Sequence, residues 1–136
     1  MHSGEGERSV RTFFFPMASV SKLALTVFGA NTDVGKTLVS LGLLSAGRRR
    51  GPVSYLKPVQ TGPITDAATI ERYLQVNCEN LFAYPLALSP HVAARGFYVP
   101  SRQELSAKVA EWLKKKEDTF SVVETAGGPL SPVPLN

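Results

Sequence analysis

The stretch that decides the fold is Leu23–Leu44, which reads LALTVFGANTDVGKTLVSLGLL. Its first part, residues 23–29, is short, apolar and ends in glycine, which predicts a buried strand. Its last part opens a helix predicted over residues 36–50, which a Gly-Pro pair ends. The intervening GANTDVGKT is a glycine-bearing turn from strand to helix that closes on Gly-Lys-Thr. This arrangement is typical of a phosphate-binding loop.

The loop is one residue longer than usual. Five residues separate Gly29 from Gly35, where the usual pattern has four. The strand before it and the helix after it favour a variant phosphate loop over a simple turn, because backbone N–H groups and the helix N-terminus would then surround an anion. Lys36 would lie along the β- and γ-phosphates, and Thr37 would offer its hydroxyl to Mg²⁺. The predicted nucleotide-binding residues are Asn31, Thr32, Asp33, Val34, Gly35, Lys36 and Thr37.

The order of the remaining elements predicts an α/β fold. A second strand is predicted over 53–56, a helix over 66–76, and an irregular region over 78–100. A Ser-Arg-Gln-Glu capping box at 101–104 opens a further helix. The apolar stripe of this helix is predicted to be core and consists of Leu105, Val109, Trp112 and Leu113. A third strand is predicted over 120–124. Strands that alternate with helices indicate a mostly parallel sheet with flanking helices, of the P-loop type.

Polar side chains follow the predicted strands at their carboxyl ends. In parallel sheets this is the edge at which ligands bind. Lys57, predicted to end the second strand, could hold a transferred phosphoryl group or a carboxylate, or be a plain exposed lysine. Thr61 could donate to the same anion. Asp66 could cap its helix or bind Mg²⁺, and Glu124 at the end of the third strand faces the ligand crevice.

Composition excludes several classes of partner. The net charge of +4 is concentrated in two basic triplets, at 48–50 and 114–116, which are predicted to end helices and stay solvated. No continuous basic face with interleaved aromatics is present, so no nucleic-acid partner is expected. No apolar run approaches the roughly 18–20 residues that a membrane helix needs, so no membrane is expected either. The single cysteine, Cys78, excludes an internal disulfide and a cysteine-rich metal site.

The motifs together resemble those of dethiobiotin synthetases, a family that has the five-residue loop spacing as its own signature. The matching segments, in order and spacing, are GANTDVGKT, YLKPVQTG, the Thr65-Asp66 helix start, the Ser89-Pro90-His91 loop and VVETAGG. The residues of FGANTDVGKTLVS and VETAGG are most similar to those of the synthetase module that eukaryotes fuse to a diaminopelargonic acid aminotransferase. This resemblance implies a partial synthetase domain over 23–128, truncated at its C-terminus, so that the sheet is incomplete.

The resemblance implies ATP- and Mg²⁺-dependent synthesis of dethiobiotin from 7,8-diaminononanoate and CO₂, a step of biotin biosynthesis. It implies catalytic roles for Lys36, Lys57 and Thr32, and a magnesium site made of Thr37, Asp66 and Glu124. It implies substrate contacts from Asp33, Lys57 and Thr61. In the family the enzyme is a homodimer, and in longer forms an aminotransferase module accompanies it.

Two segments lie outside the predicted domain. Residues 1–22 are predicted to be a flexible leader or a transit segment. The arginines and serines of this segment favour a transit function, and Glu5 and Glu7 count against it. Residues 129–136 are a proline-rich tail. The resemblance to the fused enzyme favours a mitochondrial location, with the cytoplasm as the alternative.

Two other functions are compatible with the loop. One is a nucleotide-binding relative among the amidotransferases or partitioning ATPases, which Lys57-Pro58 and the segment 124–128 disfavour. The other is a truncated, non-catalytic isoform or fragment that retains only phosphate binding.

Overall fold

The computed structural model describes residues 22–116 and 120–128. Over these residues the elements are β1 (Leu23–Val27), α1 (Lys36–Gly47), β2 (Val53–Thr61), α2 (Asp66–Leu74), β3 (Asn77–Tyr84), α3 (Pro90–Ala93), α4 (Arg102–Lys115) and β4 (Phe120–Glu124). The strands form one sheet in the order β1-β4-β2-β3, and every neighbouring pair is parallel. The predicted α/β fold with a parallel sheet is therefore confirmed.

The predicted tail, and the predicted leader apart from Lys22, lie outside the described residues. The transit role of the leader and the mitochondrial location stay predictions. In the part of the chain that the structure describes, no helix has both the length and the apolar character needed to cross a membrane.

The sheet is packed on both faces because side chains alternate along its central strands. On one face, Val53, Tyr55 and Val122 form a buried cluster with Leu44 of α1 and Ile70 of α2. On that side α1 lies so close to the sheet that a β-carbon at position 47 would come within 2.6 Å of the Phe120 ring. The residues of β2 and β4 that share this face are therefore covered by α1 and α2.

The other face is covered by α4. Trp112 packs there against Leu56 and Val123, with Val109 and Leu113 beside it. The apolar stripe predicted for this helix is thus confirmed as core.

Ser101 is confirmed as the N-cap of α4, because its hydroxyl accepts a hydrogen bond of 3.1 Å from the backbone N–H of Glu104. The Glu104 carboxylate accepts from the hydroxyl of Tyr98.

The prediction of an irregular region over 78–100 was wrong in two places. Residues 77–84 form the edge strand β3, paired with β2 from Ser54↔Asn77 to Thr61↔Tyr84, so the sheet has a fourth strand. The segment NCENLFAY lacks a clean alternation of polar and apolar residues, and its backbone pairing with β2 makes it a strand. The short helix α3 follows, with Pro90 at its first position.

The prediction that Lys57 ends the second strand was also wrong. β2 continues through Pro58 to Thr61. Because Leu56 pairs with Val123, Lys57 and Glu124 are the next residues in register, at the point where β4 ends. After Lys57, β2 continues beside β3 but extends past the end of β4. One side of β2 is therefore an open edge at Pro58, where a residue without an N–H is tolerated. Lys57 thus lies beside the carboxyl end of β4, although it is in the middle of β2.

The predicted helix ends were too late by two or three residues. α1 ends at Gly47, so the basic triplet at 48–50 forms an exposed turn after it. α2 ends at Leu74 because Gln75 adopts a left-handed conformation with φ 51°.

Candidate active site

The loop between β1 and α1 has the backbone that its glycines predict. Gly35 has φ 94° and immediately precedes α1. The Lys36 side chain is buried and folds back over the loop, where Nζ donates a 2.6 Å hydrogen bond to the carbonyl oxygen of Asn31. Gly29 leaves room for it, since a β-carbon there would lie 2.8 Å from Cγ of Lys36 and 2.6 Å from Cγ2 of Val34.

A second loop, residues 125–128, packs against the start of the first. The backbone N–H of Thr125 donates a 3.0 Å hydrogen bond to the carbonyl oxygen of Val27. Further along, a β-carbon on Gly128 would overlap the carbonyl oxygen of Ala30. The two loops at the carboxyl ends of β1 and β4 are thus held in direct contact, and only glycine fits at position 128.

Four polar side chains converge beside these loops. The hydroxyl oxygen of Thr37 lies 2.8 Å from Oδ1 of Asp66 and 3.2 Å from Oε1 of Glu124. It carries one proton and can donate it to one carboxylate at a time. Nζ of Lys57 contacts Oδ2 of Asp66 directly and lies 3.4 Å from Oε1 of Glu124. One hydroxyl, one ammonium and two carboxylates therefore meet at a single point.

The alternation of the strands explains why these groups meet under α1 and α2. Lys57 follows Tyr55 by two residues and Glu124 follows Val122 by two, so both side chains lie on the face that α1 and α2 cover. Glu124 is fully buried and Lys57 is 7% exposed. Burial, and then the negative charges of Glu124 and Asp66, raise the pKa of Tyr55 well above its usual value. This neighbouring phenol therefore stays protonated.

A cavity of about 760 Å³ opens over this point, a volume that suits a ligand of nucleotide size. Nine of the predicted site residues line it: Thr32, Asp33, Gly35, Lys36, Thr37, Lys57, Thr61, Asp66 and Glu124. Two do not: Asn31 contributes the carbonyl that Lys36 contacts, and Val34 is 52% exposed. Of the Ser89-Pro90-His91 loop, the serine and proline line the cavity and the histidine is exposed.

The first turn of α2 shows why Asp66 is available to the cavity. Thr65 caps the helix, with Oγ1 accepting a 3.0 Å hydrogen bond from the N–H of Ala68. The alternative that Asp66 serves as the cap is therefore wrong. The carboxylate of Asp66 is directed instead to Thr37 and Lys57.

Sequence reasoning missed two buried polar residues at this site. Gln60 is 3% exposed; its Oε1 accepts from the N–H of Asp66 at 3.2 Å, and its Nε2 donates to the carbonyl of Thr61 at 2.7 Å. It thereby ties the end of β2 to the start of α2. Ser40 is fully buried and donates a 2.6 Å hydrogen bond to Oε2 of Glu124. The available signal for Ser40 was its spacing, three residues after Thr37 on one helix face.

The oxygen atoms at this point fit a magnesium ion. Over residues 22–116 and 120–128 there is no group of three or more His, Cys, Asp or Glu side chains placed to hold a metal. Mg²⁺ does not require one, because it commonly binds one or two carboxylates together with phosphate oxygens and water. Thr37, Asp66 and Glu124 supply a hydroxyl and two carboxylates within hydrogen-bonding distance of each other. The same carboxylates are neutralised in part by Lys57.

Known proteins with similar sequences carry one name in common. The chain is 41% identical over 119 residues to the bifunctional dethiobiotin synthetase/adenosylmethionine-8-amino-7-oxononanoate aminotransferase of Emericella nidulans, covering 79% of this chain and 15% of that protein. It is 40% identical to the ATP-dependent dethiobiotin synthetase BioD of Chromohalobacter salexigens, covering 81% of this chain and 51% of the relative. For the same enzyme of Geobacillus kaustophilus the identity is 36%, with 77% and 47% covered.

The chain thus spans about half the length of these bacterial relatives and a smaller share of the fungal one. A family model described as AAA domain matches residues 24–136, which include both loops and all four converging side chains. AAA domains of this kind are P-loop proteins, in agreement with the parallel sheet and the loop that leads into α1. The chain therefore belongs to the AAA domain family, and the relatives it resembles within that family are named dethiobiotin synthetases.

Proposed function

We propose that this domain carries out the ATP-dependent ring closure that makes dethiobiotin, with 7,8-diaminononanoate and CO₂ as the other substrates and Mg²⁺ as the metal. The names of its relatives support an ATP-dependent synthetase of biotin biosynthesis. The fungal relative's name joins this activity to an aminotransferase, so we also propose that the domain works beside such a module. From the resemblance of its motifs we further propose that it works as a homodimer.

The observation that carries the proposal is the convergence of Lys36, Lys57 and the Thr37–Asp66–Glu124 oxygens on one cavity. A phosphate loop alone would support nucleotide binding of any kind. A second buried lysine, 21 positions further along the chain, places another positive charge where a second anion must be held. Joining a carboxylated amine to a phosphoryl group requires two such anions side by side.

The reaction divides into steps that these residues can assist. One amine of the diamine adds to CO₂ and loses a proton, giving a carbamate. A carbamate oxygen then attacks the γ-phosphorus, and the bond to the β-phosphate oxygen breaks, so that ADP leaves. The second amine attacks the carbamate carbon of the resulting mixed anhydride, loses a proton and expels inorganic phosphate. Catalysis here is positioning and charge stabilisation, as in phosphoryl transfer generally.

Each residue has a role in this scheme that follows from its position. Lys36, on the loop, stabilises the negative charge of the β- and γ-phosphates, and Lys57 that of the carbamate and the phosphoryl group in transfer. Thr32 and Asp33, exposed at the mouth of the cavity, contact the phosphates and the diamine. Thr61, at the end of β2, donates to the carbamate. Mg²⁺ would be held by Thr37, Asp66 and Glu124 and would neutralise phosphate charge.

The test is incorporation of labelled CO₂ into dethiobiotin by the purified 136-residue chain with 7,8-diaminononanoate and Mg-ATP. Lys36→Ala should abolish turnover, because it removes the ammonium beside the phosphates. Lys114→Ala, at an exposed lysine of α4 remote from the cavity, should leave turnover unchanged. A folded chain that binds Mg-ATP yet forms no labelled product would contradict the proposal and favour phosphate binding without catalysis.

A further inference from the structure

The two oxygens of the Glu124 carboxylate have different surroundings. Oε2 accepts a 2.6 Å hydrogen bond from the hydroxyl of Ser40. Oε1 lies 3.2 Å from Oγ1 of Thr37 and 3.4 Å from Nζ of Lys57. One oxygen is therefore bound to α1 inside the protein, and the other faces the polar groups of the cavity.

Ser40 reaches the site only through Glu124. Its side chain is fully buried, and it is absent from the walls of the cavity that Thr37 and Glu124 line. It lies three residues after Thr37 and four after Lys36 on α1, so all three share one helix face. The helix that begins at the phosphate loop thus carries its own contact to the carboxylate at the end of β4.

We propose that Ser40 is a positioning residue, which holds Glu124 so that Oε1 stays beside Thr37 as a metal ligand. This inference rests on the magnesium site of the proposed function. It adds that the helix of the phosphate loop sets the orientation of the carboxylate, through a residue that touches neither nucleotide nor metal.

The competing partner of Glu124 makes this contact necessary. Nζ of Lys57 is a buried cation, and Oε1 is already within 3.4 Å of it. Without Ser40, Oε2 would be a buried anionic oxygen that has lost its donor, which is costly. Rotation of the carboxylate would bring Oε2 to the ammonium of Lys57 and give this oxygen a new donor. Both oxygens would then be occupied by the ammonium, and Oε1 would move away from Thr37.

The chain offers a matched control for the loss of a buried serine hydroxyl. Ser54 is also fully buried, and its hydroxyl is 3.0 Å from that of Ser121. That pair lies on the sheet face covered by α4, away from Glu124. Ser54→Ala therefore tests the general cost of the substitution, and Ser40→Ala tests the effect on the carboxylate.

The experiment measures Mn²⁺ binding to the complete chain with ADP present, by the EPR signal of free Mn²⁺, and ADP binding without metal by calorimetry. Ser40→Ala should weaken Mn²⁺ binding about 10- to 100-fold, the range expected for a lost hydrogen bond to a charged group. Its affinity for metal-free ADP should match wild type, and Ser54→Ala should match wild type in both. Ser40→Cys, which keeps the shape with a weak donor, should fold like wild type and lose less Mn²⁺ affinity.

Four outcomes would overturn the inference. Unchanged Mn²⁺ affinity in Ser40→Ala and Ser40→Cys would show that Glu124 needs no such support. An equal loss of metal-free ADP affinity in Ser40→Ala, or an equal loss of Mn²⁺ affinity in Ser54→Ala, would point to general damage to the fold. Wild-type protein that binds no Mn²⁺ would overturn the inference together with the proposed magnesium site, whereas wild-type binding without turnover would leave the inference intact.

Discussion

The ammonium of Lys57 and the carboxylate of Glu124 form a buried ion pair, 3.4 Å apart, although 67 positions separate them in the chain. They are 7% and 0% exposed, so water cannot replace either partner. Asp66, at the rim, adds a second negative charge to the same ammonium. The pair therefore lies under the cavity as a part of both the core and the site.

Removal of Lys57 should destabilise the fold. Lys57→Met leaves Glu124 as an unpaired buried charge, and a loss of about 3 kcal/mol in the free energy of unfolding is expected. Urea denaturation of the metal-free protein measures it. The double variant Lys57→Met/Glu124→Gln should regain much of the loss, because no buried charge is left. If the double variant were as unstable as the sum of the single variants, the two side chains would not be coupled.

Gly128 should be essential for nucleotide binding. In Gly128→Ala the new β-carbon collides with the carbonyl of Ala30 and displaces the phosphate loop. We expect ATP affinity to fall about tenfold or more, equivalent to about 1.4 kcal/mol. Gly42→Ala is the control, since position 42 lies on α1 with open space around its β-carbon. It should raise stability by about 0.5–1 kcal/mol and leave ATP affinity unchanged. Equal ATP affinity in Gly128→Ala and Gly42→Ala would show that the contact between the loop at 125–128 and the phosphate loop does not affect nucleotide binding.

Asp66→Asn should act on the metal and spare the nucleotide. The amide keeps the size of the side chain and loses the charge that Mg²⁺ needs. Calorimetry should show weaker binding of Mg-ATP, by about tenfold, while metal-free ATP binds as well as to wild type or better. Glu71→Gln removes an exposed carboxylate from the same helix and should change neither affinity. Equal weakening with and without the metal would argue against Asp66 as a magnesium ligand.

Cys78 should be unreactive in the folded protein. Burial, with a smaller contribution from the charge of Glu71, raises the pKa of its thiol to about 12. Very little thiolate is then present at pH 8.5, so alkylation by iodoacetamide should be at least a hundredfold slower than that of an unfolded cysteine, whose ordinary pKa is 9.0. Unfolding in urea should restore the rate. A fast reaction in the native protein would contradict the burial of this thiol.

The same shift gives a pH dependence of stability with a defined sign. The unfolded thiol loses its proton near its ordinary pKa of 9.0, while the folded thiol keeps it until about pH 12. The unfolded state is therefore favoured progressively as the pH rises from about 9 to about 12, and this contribution is absent below pH 9. Cys78→Ala should lose less stability than wild type between pH 9 and 11, as measured by urea denaturation at each pH.

Much of the phosphate-loop half of the site could be predicted from the sequence. The strand β1, the loop with its glycines and the start of α1 are adjacent in the chain, and backbone geometry relates them directly. The N-cap of α4 at Ser101 and the core stripe on that helix are equally local, and both were predicted correctly. Lys57 and Glu124 were predicted as candidates because strand ends in a parallel sheet meet at one edge. Asp66 was predicted as a candidate from the carboxylate chemistry that Mg²⁺ prefers, at the start of its helix.

The errors arose where pairing between distant segments decides the structure. β3 is a strand because it pairs with β2, and β2 runs past Pro58 because β4 has already ended beside it. Ser40 and Gln60 were missed because their importance comes from what they contact in space. Gln60 lies within the segment YLKPVQTG, but its residue type there does not indicate a role. The signal for Ser40 was its spacing from Thr37 alone.

The sequence by itself determined the strand–loop–helix start, the α/β class and the candidate residues other than Ser40 and Gln60, because these follow from local patterns along the chain. The tertiary structure alone decided how the candidates combine. It brings Thr37 and Ser40 of α1 to opposite oxygens of Glu124, across 87 and 84 positions of the chain. That geometry depends on the register of β2 against β4 and on the seating of α1 on the sheet, and both result from packing of the whole domain.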